Sequence, residues 1–274
     1  MTNSIYDDFI QRRRRRVGTE GEIDLSSTDR ERLASLAGKF SGQRIFIVGN
    51  GPSLNKIDFE KLRGEYTFAA NRIYLMFDRT LWRPTFYTAI DWRVTPDIRD
   101  EIIAMEGIEY PIFPTRYKGF FDELGDPFWF KLRGGGPRFS DQFSHDILND
   151  GVAGRGSVLV QAIQIAFYLG FSPIYLVGVD VSYRVPSTVI QEGGDRFGTG
   201  TQLLLTSTQD DDENHFDPRY FGAGRKWHDP NTDEMIRGFV ACRKGVEFYG
   251  GKLLNATVGG NLNQIPRVDF DSLF

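Results

Sequence analysis

Apolar positions in the first half of the chain come in short unbroken runs, each stopped by turn residues. Residues 44–49 (RIFIVG), 66–70 (YTFAA), 85–90 (TFYTAI) and 110–114 (YPIFP) are rich in β-branched and aromatic side chains, so each predicts a buried strand. The period changes at Val158, Ala162, Ile165, Ala166 and Leu169, which share one face of a helix. Gly170 closes that helix, and residues 174–179 follow as a near-continuous apolar strand of the kind covered on both faces. A second helix is predicted over about 232–244, leading into a strand at 246–250 (VEFYG). Near the start, Thr28-x-x-Glu31 reads as a capping box opening a short helix that ends at Gly38, and residues 57–64 have helical length.

Strand, helix and strand in alternation predict an α/β fold with a mostly parallel sheet flanked by helices, its ligands at the carboxyl ends of the strands. Two stretches break the pattern: about 117–153 and about 183–230, where aromatics, glycines and charges follow no period. Loops of that length in a compact domain are commonly lids or binding elements, and their aromatic content argues against simple disorder. They are expected to cover an active site. The expected layout is a flexible basic arm over 1–27 and a single catalytic domain over 28–274.

Charge and composition narrow the function. The 274 residues carry 33 basic and 37 acidic side chains, a net charge of −4, so no global positive field recruits nucleic acid. One cysteine, Cys242, excludes an internal disulfide and a thiolate-rich zinc site. A cytoplasmic setting fits. No apolar run approaches the roughly 18 residues of a membrane helix. The run Arg12–Arg16 reads as a solvated arm, or as an electrostatic tether giving peripheral association at the inner membrane.

The chemistry concentrates at strand ends. GNGPSL follows the first strand, bringing Asn50, Gly51, Pro52 and Ser53 to its carboxyl end. Glycine would let backbone N–H groups approach an anion, and the Asn50 amide both donates and accepts; a tight strand-to-helix turn would use the same residues. The pattern is neither the spaced-glycine dinucleotide fingerprint nor the lysine-containing nucleotide loop. Arg155, Gly156 and Ser157 precede the long helix, whose unpaired N–H groups favour an anion, although an ordinary N-cap would also explain Ser157. Asn71, Asp91 and Asp180 close successive strands and would converge on one crevice, to bind sugar or ribose hydroxyls or a divalent cation. Of three histidines, His215 and His228 share the irregular segment before the last helix. Imidazole can take a proton from a sugar hydroxyl near neutral pH, with His228 the candidate base and His215 in reserve.

These motifs in this order (GNGPSL, then FAAN, IYLVGVD and a late His-x-x-Asn-Thr-Asp) resemble the family 42 bacterial sialyltransferases. They also resemble the wider MptE-like domain group related to flagellin-glycosylating proteins, over roughly residues 44–250. The resemblance implies a Rossmann-like sheet that binds a CMP-activated nonulosonic acid such as CMP-sialic acid. It further implies inverting transfer to a glycan or protein hydroxyl without strict need of a metal cofactor. By motif position it puts Asn50 and Gly51 on the phosphate side of the donor and Asn71 on the nucleotide. His228 falls on the general base, and Tyr183 is the nearest match to a tyrosine assisting the departing phosphate. Ser157 matches the family serine only approximately, and Thr88 stands where the family has Asn.

Two other functions fit the same residues. One is an MptE-like pyrophosphokinase moving diphosphate from ATP to a hydroxymethylpterin-like acceptor, with Mg2+ on Asp91, Asp180 and the run from Asp210 to Glu213. The other is a non-catalytic module that binds nucleotide-sugars or glycans.

Overall fold

The computed structural model describes residues 23–91, 94–133, 142–153, 156–192, 204–228 and 230–274. The run Arg12–Arg16 and Arg155 lie outside them. Strand β1 (Ile45–Val48) is buried at every position and takes the middle of a seven-stranded sheet. The others are β2 (Thr67–Ala70), β3 (Phe86–Thr88), β4 (Tyr110–Pro114), β5 (Phe128–Phe130), β6 (Ile174–Val177) and β10 (Leu253–Asn255). The order is β10-β6-β1-β2-β3-β4-β5, and every neighbouring pair is parallel. This is the expected Rossmann-like α/β architecture.

Alternation along the strands splits the core into two layers. Ile45, Ile47, Phe68, Phe86, Ile174 and Leu176 face one layer. It is closed by helices α1 (Ser27–Ala34), α2 (Val158–Tyr168) and α3 (Thr232–Phe248), through Leu33, Ile163, Ala166, Phe239 and Cys242 among others. Phe46, Val48, Ala69, Tyr87, Tyr175 and Val177 face the other layer, packed with Trp82, Phe113, Tyr117, Phe121 and Phe270. Each fully buried side chain of this size contributes about 1.5–3 kcal/mol.

The strand order sets the position of the crevice. From β1 the chain steps outward through β2 to β5, then α2 returns it across the sheet to β6 on the other flank of β1. Loops leaving β1 and β6 therefore part in opposite directions above neighbouring strands, the switch point where open parallel sheets take their ligands.

Several elements differ from the sequence reading. The capping box is Ser26 with Asp29, not Thr28 with Glu31: Ser26 Oγ accepts from Asp29 N at 3.2 Å and Ser26 N donates to Asp29 Oδ2 at 3.0 Å. Thr28 falls inside the first turn. Residues 57–64 hold only the short turn Phe59–Leu62. The stretch 246–250 is not a strand: α3 runs on to Phe248, because Val246 continues the helical spacing of Phe239 and Cys242 into the core. β5 lies inside the segment expected as a lid, at the edge of the main sheet. Within 183–230 the chain forms a separate antiparallel sheet, β7 (Ile190–Glu192), β8 (Leu204–Thr206) and β9 (Lys226–His228), around Val189, Leu205 and Trp227. No helix among the described residues is long and apolar enough to cross a membrane.

Candidate functional site

The two loops at the switch point are fastened to each other. Gly49 N donates to Val177 O at 2.7 Å and Gly51 N to Gly178 O at 2.9 Å. A Cβ on Gly49 would overlap the Gly178 carbonyl, and one on Gly51 would overlap the Asp180 carboxylate. The glycines are thus required by loop-to-loop contact. The Gly51 N–H, expected on a phosphate, is engaged within the fold. Pro52 opens a short turn, Pro52–Lys56, and Ser53 Oγ donates to Asp180 Oδ2 at 2.6 Å. Burial pushes the Asp180 carboxyl above the usual range, partly offset by the Ser53 hydrogen bonds. The next residue, Val181, has φ 50, a left-handed backbone that a β-branched side chain rarely adopts and that marks stored strain.

Asn50 faces the opposite way, toward the end of β2. Its Nδ2 donates to Ala70 O at 3.1 Å, while its Oδ1 is buried without a hydrogen-bond partner among the described residues. Asn71 repeats the situation: its Oδ1 is also buried without a hydrogen-bond partner among the described residues, its φ is 53, and its carbonyl accepts from Tyr87 OH at 2.7 Å. A buried acceptor left unsatisfied costs about 1–3 kcal/mol, and two lie at the ends of adjacent strands. Asp91 Oδ1 accepts from Val94 N at 2.9 Å, capping the turn Val94–Asp97. Ser157 caps α2, its Oγ accepting from Leu159 N at 3.2 Å. Gly156, at φ +86, lies against the backbone of Glu234 and Met235.

The fourth wall comes from the segment carrying His215. Phe216 N donates to Asn50 O at 3.0 Å and Asn55 Nδ2 to Phe216 O at 2.9 Å, which seats His215 against the β1 loop. Its Nδ1 is 2.7 Å from Asp212 Oδ2, its Nε2 is 3.4 Å from Tyr183 OH, and its ring stacks on Tyr220 with centroids 3.7 Å apart. Burial alone would raise the Asp212 carboxyl. The hydrogen bond and charge of His215, with the N–H groups of Asn214 and Phe221, outweigh burial and hold it below the usual carboxylate range. Burial, then the charges of Asp212 and Asp180, push the Tyr183 phenol far up, so it stays protonated as a donor across the neutral range. His215 is close enough to Asp180 to lower that carboxyl electrostatically.

The structure thus brings Asn50, Ser53, Asn71, Asp180, Tyr183 and His215 together beyond the carboxyl ends of β1, β2 and β6. His228 lies on β9, opposite Leu204 of β8, and the histidine joined to Tyr183 is His215. Asp212, read only as part of an acidic run that could hold magnesium, pairs instead with His215, and Tyr220 has no counterpart in the sequence reading. The first two acids of the run tie the loop together: Asp210 Oδ1 accepts from Ala223 N at 2.8 Å and Asp211 Oδ2 from Thr188 Oγ1 at 2.6 Å. Among the described residues, no group of three or more His, Cys, Asp or Glu side chains is placed to hold a metal ion.

Residues 24–186 match the family described as 6-hydroxymethylpterin diphosphokinase MptE-like. No curated protein matches the sequence. Among solved structures, the MAf glycosyltransferase from Magnetospirillum magneticum AMB-1 is similar over 93% of this chain, with TM-score 0.50 and 17% identity. The chain spans 40% of that protein's length, and the likeness is one of fold. A mammalian sialyltransferase in complex with Gal-beta-1-3GalNAc-ortho-nitrophenol aligns over 95% of this chain and 88% of its own, with TM-score 0.38 and 10% identity.

Proposed function

The chain belongs to the 6-hydroxymethylpterin diphosphokinase MptE-like family, and we propose that it is a glycosyltransferase. It moves a nonulosonic acid from a CMP-activated donor to a hydroxyl of a glycan or glycoconjugate, with inversion. The observation that carries this reading is the chain Asp212–His215–Tyr183 beside the β1 loop.

With its Nδ1–H donated to Asp212, the imidazole holds its lone pair on Nε2, where the acceptor hydroxyl displaces the Tyr183 O–H. The acceptor oxygen bonds to the anomeric carbon as the bond from that carbon to the phosphate oxygen breaks. The acceptor proton passes to Nε2, and the electron pair leaves with CMP. Released from Nε2, the Tyr183 phenol turns its one O–H to the departing phosphate. A positioned base of this kind contributes about 10²–10⁴-fold. The buried amide oxygens of Asn50 and Asn71 are the acceptors available to nucleoside hydroxyl or amino groups.

His215 therefore takes the role that motif position gave to His228. Turnover of His215→Asn should fall at least about 10²-fold with donor affinity nearly unchanged, while His228→Asn stays close to wild type. The reverse pattern would return the base to His228. The family description favours a second reading, diphosphate transfer from ATP. Strict Mg2+ dependence with ATP, and no response to CMP in a thermal-shift panel, would support it over sugar transfer.

A further inference from the structure

Arg72 follows Asn71 at the end of β2 and is 6% exposed. Its Nε donates to Tyr74 OH at 2.9 Å, and its Nη1 donates to Arg219 O at 2.7 Å and to Tyr220 O. These three bonds use three of the five guanidinium N–H groups. All three acceptors are neutral oxygens. Nη2 has no hydrogen-bond partner, and Arg72 no carboxylate partner, among the described residues. Glu101, which shares the surroundings of Tyr74 with Arg72, is bound instead by Arg225 Nη2 at 3.1 Å. Buried charges are ordinarily paired, because the interior does not replace the water they lose. Arg72 is thus a buried cation with no counter-charge among the described residues. It adjoins the crevice on two sides, through Asn71 in sequence and through Tyr220, whose ring lies under His215.

We propose that Arg72 is an oxyanion subsite of this crevice, its free Nη2 edge receiving a phosphate or carboxylate oxygen of the substrate. The three protein bonds fix the guanidinium plane and leave the two N–H groups of Nη2, each able to donate a charge-assisted hydrogen bond to an oxyanion. The proposal rests on the crevice being the substrate site. The anion belongs to the phosphate of the activated donor or to the carboxylate of an acidic sugar, and the test separates the two.

Dissociation constants would be measured by calorimetry for wild type, Arg72→Met and Arg72→Lys with cytidine, CMP, CMP-sialic acid and inorganic pyrophosphate. Arg72→Met should leave cytidine within about twofold and weaken the anionic ligands at least about tenfold, with Arg72→Lys between the two. A loss already present with CMP identifies the phosphate; one confined to CMP-sialic acid identifies the carboxylate. Equal weakening of cytidine and CMP would mean a collapsed wall and overturn the proposal, as would wild-type affinity of Arg72→Met for every anion. If wild type takes none of the cytidine compounds, the donor reading falls and pyrophosphate decides. Tenfold weaker pyrophosphate binding in Arg72→Met sustains the subsite, and equal or absent binding removes it.

Discussion

At the scale of single residues, Asp212 does two things at once. It accepts from Asn214 N at 2.9 Å, from Phe221 N at 3.1 Å and from His215, so it folds its own loop while orienting the imidazole. Its folded pKa lies below the unfolded value of about 3.9. Its contribution is therefore fully present above that value and lost as pH falls through the folded pKa. Asp212→Asn should cost about 1–3 kcal/mol at pH 7, and the deficit should shrink in acid unfolding curves below about pH 4. A deficit constant with pH would mean that the ionised form is not what matters. Gly51→Ala sets a Cβ against the Asp180 carboxylate, so it should lower the melting temperature and weaken nucleotide binding together; binding unchanged would detach the loop from the site. Asn50, Ser53 and Asp180 were readable from sequence because polar residues directly after apolar runs sit at strand ends. The role of Asp212 was not, since four acids in a row read as a possible magnesium site and their separate hydrogen-bond partners are visible only in space.

At the scale of elements, the strands were legible wherever burial on both faces leaves an unbroken apolar run, as in β1, β2 and β6. The failure at 246–250 has a definite cause. A β-branched and aromatic composition suggests a strand, yet a strand would bury Val246 and Phe248 on the same face. The helix buries Val246 completely and leaves Phe248 81% exposed. Val246→Ala should therefore cost about 2 kcal/mol and Phe248→Ser less than about 0.5 kcal/mol, as read by denaturant titration. Comparable losses at both positions would contradict the helix. β5 escaped the reading because three residues, Phe128–Phe130, are too few to show a period.

At the scale of the whole molecule, the site exists only because the segment that carries His215 docks on the sheet. Arg225 reaches Asp97 at 2.7 Å and Glu101 at 3.1 Å, and Arg79 reaches Asp217 at 2.7 Å. None of these long-range pairings follows from the sequence, whose aromatic-rich stretch announced a covering element but not its attachment. The Arg225 pairs are partly solvated, so Arg225→Ala should shift global stability by only about 0.2–1 kcal/mol. Hydrogen exchange should nevertheless quicken over residues 207–225 and stay unchanged in α2. A uniform change would mean that these pairs do not fasten the segment.

The most direct test of the crevice is hydrogen exchange with and without CMP. Protection should appear together in peptides spanning residues 49–56, 178–184 and 212–221, the three segments that meet at the switch point. Binding of CMP with protection confined to other parts of the chain would contradict the assignment of the site.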